Sequence, residues 1–334
     1  MTDDLAQLEH DAVADERRSL TFRSRGVVYA VAGLLLLVSV VLAALRIGEQ
    51  AGRLSDWQAL ALGATQGFSE LLPISSSGHL ILVPWLFDWT YLEEHDAFNQ
   101  TFDVALHLGT LVAVAAYFWR EVVDLLAALV SSIRKRRIET MNERIVWLLG
   151  IATVPAALVG ALGEDFIVEH LGEPWQIAIC VIVFALLLWL ADRSQTTREL
   201  GDVRLRDALG IGFAQALALM PGVSRSGITI TAARFLKLDR DSAARFSFLL
   251  LLPTTLGAVV FKGTKDVLLA DLPPGSTGPF LVGTLAALAG GLVAIKLLLD
   301  YVRRHTYTIF VVYRLLAAVG ILILIATGVR SATF

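Results

Sequence analysis

The chain has 334 residues, 56% of them hydrophobic and 18% charged, and its mean hydropathy of +0.66 excludes an ordinary soluble domain and indicates a polytopic membrane protein. The formal net charge of −3 says little by itself, and nothing in the sequence supports nucleic-acid binding. The single cysteine, Cys180, excludes a disulfide within the chain and a thiol metal site.

Residues 1–25 are polar and acidic, with Arg17, Arg18, Arg23 and Arg25 placed just before the first apolar stretch, 26–46. No small-residue cleavage site closes that stretch, so it is expected to be a retained anchor behind a cytoplasmic tail, 1–25. Crossing about 30 Å of hydrocarbon takes roughly 17 to 25 apolar residues. Further stretches of that kind lie at 102–119, 144–162, 175–192, 244–261, 279–299 and 308–328, which makes seven expected spans. Lys and Arg gather in alternate connections, at 17–25, 120–144, 193–206, 234–245 and Arg303-Arg304. The positive-inside rule makes these cytoplasmic. Segment 56–101 must then start and finish outside, and 203–243 must start and finish inside.

Each of those two segments has a short apolar run, a break at Pro73 or Pro221-Gly222, a serine-rich tip and a second short run. Non-helical backbone at membrane depth must be buried in protein or line a wet cavity. Both segments are therefore expected to be re-entrant hairpins, 56–90 and 203–240. The tips are two copies of one sequence: at a constant offset of 149 residues, Gly63 falls on Gly212, Gln66 on Gln215, Ser75 on Ser224, Ser77 on Ser226 and Gly78 on Gly227. The expected fold is thus an all-α polytopic membrane protein with an inverted-topology repeat. Its halves are 56–192 and 203–328, each one hairpin plus three spans, with 26–46 as an extra N-terminal span.

The copies differ in their chemistry. The first carries Glu70 and His79; the second has Leu219 in the Glu70 position and Arg225 in the Ser76 position. Helices starting after Ser75-Ser76-Ser77-Gly78 and Ser224-Arg225-Ser226-Gly227 would aim backbone N–H groups and positive dipole ends at a shared anion. Arg225 adds a forked donor suited to phosphate oxygens. A cation at bilayer depth costs about 2.5–3.5 kcal/mol on insertion scales, so Arg225 requires an anionic partner. A plain structural ion pair with Glu70 would also meet that need, but it leaves the serines and His79 without a purpose. Gln66, one turn before Glu70, extends a polar stripe toward the tip. Thr231 is expected to satisfy a helix carbonyl, while Asn99, Asp103 and His107 are expected to pack and cap. Lys296, Asp300 and Arg314 are expected to snorkel or pair near helix ends. The run 134–137 is expected to set topology and touch anionic lipid heads.

The pattern Gln66-x-x-x-Glu70, Leu72-Pro73-x-Ser75-Ser76-Ser77-Gly78-His79 and Pro221-Gly222-x-Ser224-Arg225-Ser226-Gly227-x-Thr229 closely resembles the undecaprenyl-diphosphate phosphatase family of the bacitracin-resistance type, from about 56 to 328. The resemblance implies a membrane enzyme that removes one phosphate from a polyprenyl diphosphate at the outer face of the plasma membrane, regenerating the lipid carrier for envelope glycans. Its substrate is the lipid and its surroundings are membrane lipids, with room for a homodimer. Carried over residue by residue, the catalytic positions are Glu70, Ser76, His79 and Arg225. The phosphate-binding positions are Ser75, Ser77, Gly78, Ser224, Ser226, Gly227 and Thr229. A divalent cation, Mg2+ or alternatively Ca2+, would sit on Glu70 and Gln66. Many members have Glu where this chain has Gln66, and the N-terminal span 26–46 is atypical. Ser76 or water is the expected nucleophile, with Glu70 or His79 as base. The rival reading is a transporter or flippase of polyprenyl phosphate lipids, since fold alone does not separate the two.

Overall fold

The computed structural model describes residues 26–45, 54–262 and 276–333; the expected tail 1–25 lies outside the described residues. Helices are α1 (Gly26–Leu45), α2 (Asp56–Leu71), α3 (Ser76–Phe87), the short α4 (Tyr91–Glu94), α5 (Asp96–Tyr117), α6 (Trp119–Lys135), α7 (Met141–His170), α8 (Pro174–Asp192), α9 (Leu205–Ala216), α10 (Arg225–Phe235), α11 (Arg240–Lys262), α12 (Thr277–Val302) and α13 (Thr308–Ala326). Among the described residues there is no β-strand. Ser55 caps α2 and Thr140 caps α7, each in a reciprocal capping box that satisfies the first free N–H groups.

Six of these helices, α1, α7, α8, α11, α12 and α13, are long and apolar enough to cross a membrane; a seventh span appears only if α5 and α6, bent by 86° at their junction, count as one. The protein is therefore an all-helical, multi-pass membrane protein. The expected span 102–119 falls in α5, whose first half carries Asn99, Gln100, Asp103 and His107 and which does not qualify as a span by itself. Segment 120–144, read from sequence as a basic connection, instead contains α6. Its exposed Val123, Leu126, Val130 and Ile133 make one side apolar, while Arg120, Glu121 and Asp124 make it too charged to cross.

Small residues let the short helices lie against long ones. Gly63 of α2 meets the backbone of Gly283 in α12, and a Cβ on Gly67 would stand 2.5 Å from the Ala287 carbonyl oxygen. Gly212 of α9 is matched to α7 in the same way, where a Cβ would stand 2.6 Å from the Ala152 carbonyl oxygen. Such contacts trade side-chain bulk for close backbone packing, which drives helix association where no water is displaced.

One end of the bundle is tied by a buried carboxylate. Asp192, closing α8, accepts from Arg240 Nε at 2.6 Å and from the Tyr307 backbone N–H at 2.9 Å, and pairs with Arg234 Nε at 3.4 Å. The other end is tied by Arg330, which pairs with Asp88 and donates to the Leu86 carbonyl at 2.7 Å.

Candidate active site

Ser75 and Ser224 enter α3 and α10 with nearly the same unusual backbone, φ 80° ψ 96° and φ 76° ψ 113°. Positive φ in a non-glycine residue costs on the order of 1–3 kcal/mol, and it holds the chain in a sharp reversal between helices. Each serine repays part of that locally: Ser75 Oγ accepts the Gly78 N–H at 3.3 Å and Ser224 Oγ accepts the Gly227 N–H at 3.0 Å. These two hydroxyls, expected to face a phosphate, thus serve as N-caps in this structure, because the first N–H groups of a helix need acceptors.

The next residues, Ser76 and Arg225, meet on one carboxylate. Ser76 Oγ donates to Glu70 Oε2 at 2.5 Å, and Arg225 Nε donates to Glu70 Oε1 at 3.0 Å. Glu70 is only 5% exposed, so both of its oxygens are committed to partners from different motifs, 155 residues apart in the case of Arg225. Arg225 also donates from Nη1 to the Ser247 carbonyl at 3.0 Å, while its Nη2 is buried without a protein partner. Gln66 is fully buried; its Nε2 lies 3.5 Å from Glu70 Oε2, and its Oε1 has no partner.

His79 sits one turn into α3, with Nδ1 2.6 Å from the Ser75 carbonyl and Nε2 2.7 Å from the Tyr313 hydroxyl of α13. In a neutral ring, Nδ1–H donates to the carbonyl and Tyr313 donates to Nε2. Ser77 stands half-buried in the same turn. Ser226 Oγ crosses between the motifs to the Leu72 carbonyl at 3.0 Å. Thr229 turns inward, to the Arg225 carbonyl at 2.8 Å and to Ser247 Oγ at 2.7 Å, and thereby braces the arginine's helix against α11. Gly78 and Gly227 allow close approach: a Cβ on Gly78 would lie 3.2 Å from Ile177, and one on Gly227 would lie 3.0 Å from Arg314 Nη1.

Two residues change their expected place. Arg314 does not snorkel: it is 1% exposed in the body of α13 and donates to the carbonyls of Pro73 at 3.4 Å, Gly222 at 3.0 Å and Val223 at 3.2 Å. Both chain breaks leave carbonyls unpaired, and the guanidinium fork serves both. His107, assigned from sequence to packing and capping, does bond the Asp103 carbonyl through Nδ1, at 2.8 Å, but its Nε2 lies 3.9 Å from Glu70 Oε2 and its side chain is 36% exposed. The signal for it was available: a histidine one turn after an aspartate, in the polar first half of an otherwise apolar helix. The pair Lys296–Asp300 forms as expected, at 2.6 Å, and Thr231 donates to the Gly227 carbonyl at 2.7 Å.

The assembled group is a buried carboxylate with a hydroxyl on one oxygen and a guanidinium on the other, next to two helix N-termini. Such a set can activate a hydroxyl and hold a phosphate. A family profile described as bacitracin resistance protein BacA matches residues 59–320. Relatives called undecaprenyl-diphosphatase include those of Pelotomaculum thermopropionicum, 43% identical over 81% of this chain and 97% of the relative, and Gemmatimonas aurantiaca, 45% identical over 81% and 98%. The Thermomicrobium roseum protein is 45% identical over 81% of this chain and 98% of its own.

Proposed function

The chain belongs to the BacA family of bacitracin resistance proteins, and from that premise we propose that it is an integral membrane phosphatase. It hydrolyses undecaprenyl diphosphate to the monophosphate and inorganic phosphate, recycling the lipid carrier for envelope glycan synthesis. The observation that carries this reading is the short Ser76–Glu70 hydrogen bond, 2.5 Å, with Arg225 on the other carboxylate oxygen. A lipid transporter has no use for a serine held on a buried base.

In the proposed mechanism Ser76 Oγ attacks the terminal phosphorus as Glu70 Oε2 takes its proton. The phosphoanhydride bond breaks, undecaprenyl monophosphate departs, and water then frees the phosphate from the serine. The unpartnered Nη2 of Arg225 is the donor for an equatorial phosphate oxygen, and the amides at the starts of α3 and α10 complement it. His79, held between the Ser75 carbonyl and Tyr313, fixes the first turn of α3 and so the position of Ser76. A divalent cation, Mg2+ or alternatively Ca2+, would be held by Glu70 if Arg225 gave up Oε1 to it. The orphaned Gln66 Oε1 lies one helical turn away, giving two hard oxygen donors that the diphosphate and water would complete. When bound, the cation neutralises diphosphate charge.

The same reading makes α2–α3 and α9–α10 re-entrant hairpins of opposite orientation. Three features support it. The four helices are each too short to cross singly, at 11 to 16 residues. The end of α3 is tied to the far end of α13 by Arg330–Asp88, while the end of α10 is tied near its start through Arg234–Asp192 and Tyr307. The helices also exchange partners, α2 lying on α12 of the second half and α9 on α7 of the first. With the basic connections inside, the N-terminus is cytoplasmic and the site opens outward.

The test is release of inorganic phosphate from undecaprenyl diphosphate by the purified protein, with and without chelator. Turnover that falls with chelator and is absent in Arg225→Ala is expected. Near-normal release by Arg225→Ala, or lipid flux without release, would sink the reading.

A further inference from the structure

At the Asp192 end of the bundle lies a cavity of about 460 Å3, away from the Glu70 site, lined by Arg198, Arg204, Arg206 and Lys237 with Asp207 and Phe235. Four cations face one carboxylate. That carboxylate is already used: Asp207 accepts from Arg198 and from the Arg204 backbone N–H, the latter at 2.9 Å. The segments that carry Arg198 and Lys237 are joined backbone to backbone. The N–H groups of Thr197 and Arg198 donate to the Lys237 carbonyl at 3.1 and 3.2 Å, and the Asp239 N–H donates to the Arg198 carbonyl at 2.9 Å. Fixing like charges side by side is unfavourable unless an anion joins them.

Depth says which anion. The cavity lies where the spans α8 and α11 meet the interface, since Arg240 of α11 pairs with Asp192 of α8 and the adjoining turn is joined to α11 by the Leu200 N–H on Ser242, at 3.0 Å. From the cavity rim α9 runs inward, and Leu205, Leu209 and Phe213, at successive turns, are all exposed, Phe213 at 66%. A headgroup-sized basic cavity therefore continues into an apolar stripe of the kind acyl chains cover.

We propose that this cavity binds the headgroup of an anionic diacyl phospholipid whose chains lie along the exposed face of α9. Charge selects the headgroup and the stripe selects a lipid over a soluble phosphate. The site is distinct from the basic run 134–137, which closes the last turn of α6 and runs into the turn after it.

The experiment is native mass spectrometry of the full-length protein in detergent, titrated with phosphatidylglycerol and with phosphatidylcholine. Wild type is expected to retain phosphatidylglycerol selectively. Removing the exposed cations in Arg204→Gln/Arg206→Gln/Lys237→Gln is expected to weaken that retention by about fivefold per charge. The control Arg303→Gln/Arg304→Gln, which removes exposed cations at the same end of the bundle, should keep it. The proposal is overturned if the triple variant binds as wild type, or if the control loses as much, which would mean diffuse attraction. Displacement of the lipid by glycerol phosphate at comparable concentration would also overturn it, by making the cavity a soluble-phosphate site.

Discussion

Glu70 divides its two oxygens between two motifs, Ser76 on one and Arg225 on the other. Glu70→Gln removes the proposed base and the ion pair while keeping the volume, so phosphate release should fall by at least about a hundredfold, measured on protein whose elution profile is unchanged. His107 adds a half-exposed imidazole 3.9 Å from the same carboxylate. His107→Ala is expected to lower turnover more than His107→Gln, because glutamine restores a polar group beside Glu70; equal, wild-type rates for both would remove it from the site. Arg314 is the residue whose role the sequence hid. An arginine in an apolar helix reads as snorkelling, since the alternative requires unpaired carbonyls from two distant breaks to arrive at one point. Arg314→Met leaves three buried carbonyls short of a donor, at about 1–3 kcal/mol for each one left unsatisfied. A clear drop in melting temperature is expected, with Arg314→Lys recovering part of it.

At the scale of elements, the two short helix pairs depend on backbone conformations and close approaches that tolerate little. Gly222 has φ +95°, and a Cβ there would stand 2.8 Å from the Ile177 carbonyl oxygen. Gly222→Ala should therefore lower both melting temperature and phosphate release, whereas Gly257→Ala and Gly320→Ala, where a Cβ meets nothing within 4 Å, should leave both near wild type. Matching losses in all three would mean that helix propensity, not the reversal, sets the effect. The repeat of Gly63 on Gly212 was legible as text, but its use was not: the first meets α12 and the second α7. Which long helix receives each short one depends on contacts across the halves, and periodicity within a segment holds no record of them. The amphipathic α6 was hidden for a simpler reason, because its charges resemble those of a cytoplasmic connection.

At the scale of the whole molecule, α1 packs through Ala32 on Ala113, Ala289 and Leu292, outside the matched region 59–320 and remote from Glu70. Deleting residues 1–45 should leave phosphate release intact in the purified protein, and its loss would give α1 a part in holding α5 and α12. The sequence by itself determined the membrane class, most of the spans and the two motifs, because hydropathy and residue identity are local and survive unfolding. The residues of the proposed reacting group, Glu70, Ser76 and Arg225, could be named from those motifs. Only the tertiary structure decided how they meet: Arg225 on one carboxylate oxygen and Ser76 on the other, His79 turned to Tyr313, the cap serines turned to their own helices, and Arg314 beneath both breaks. Each of those choices satisfies a buried donor or acceptor whose partner lies far away in the chain, so its energy exists only once the chain has folded.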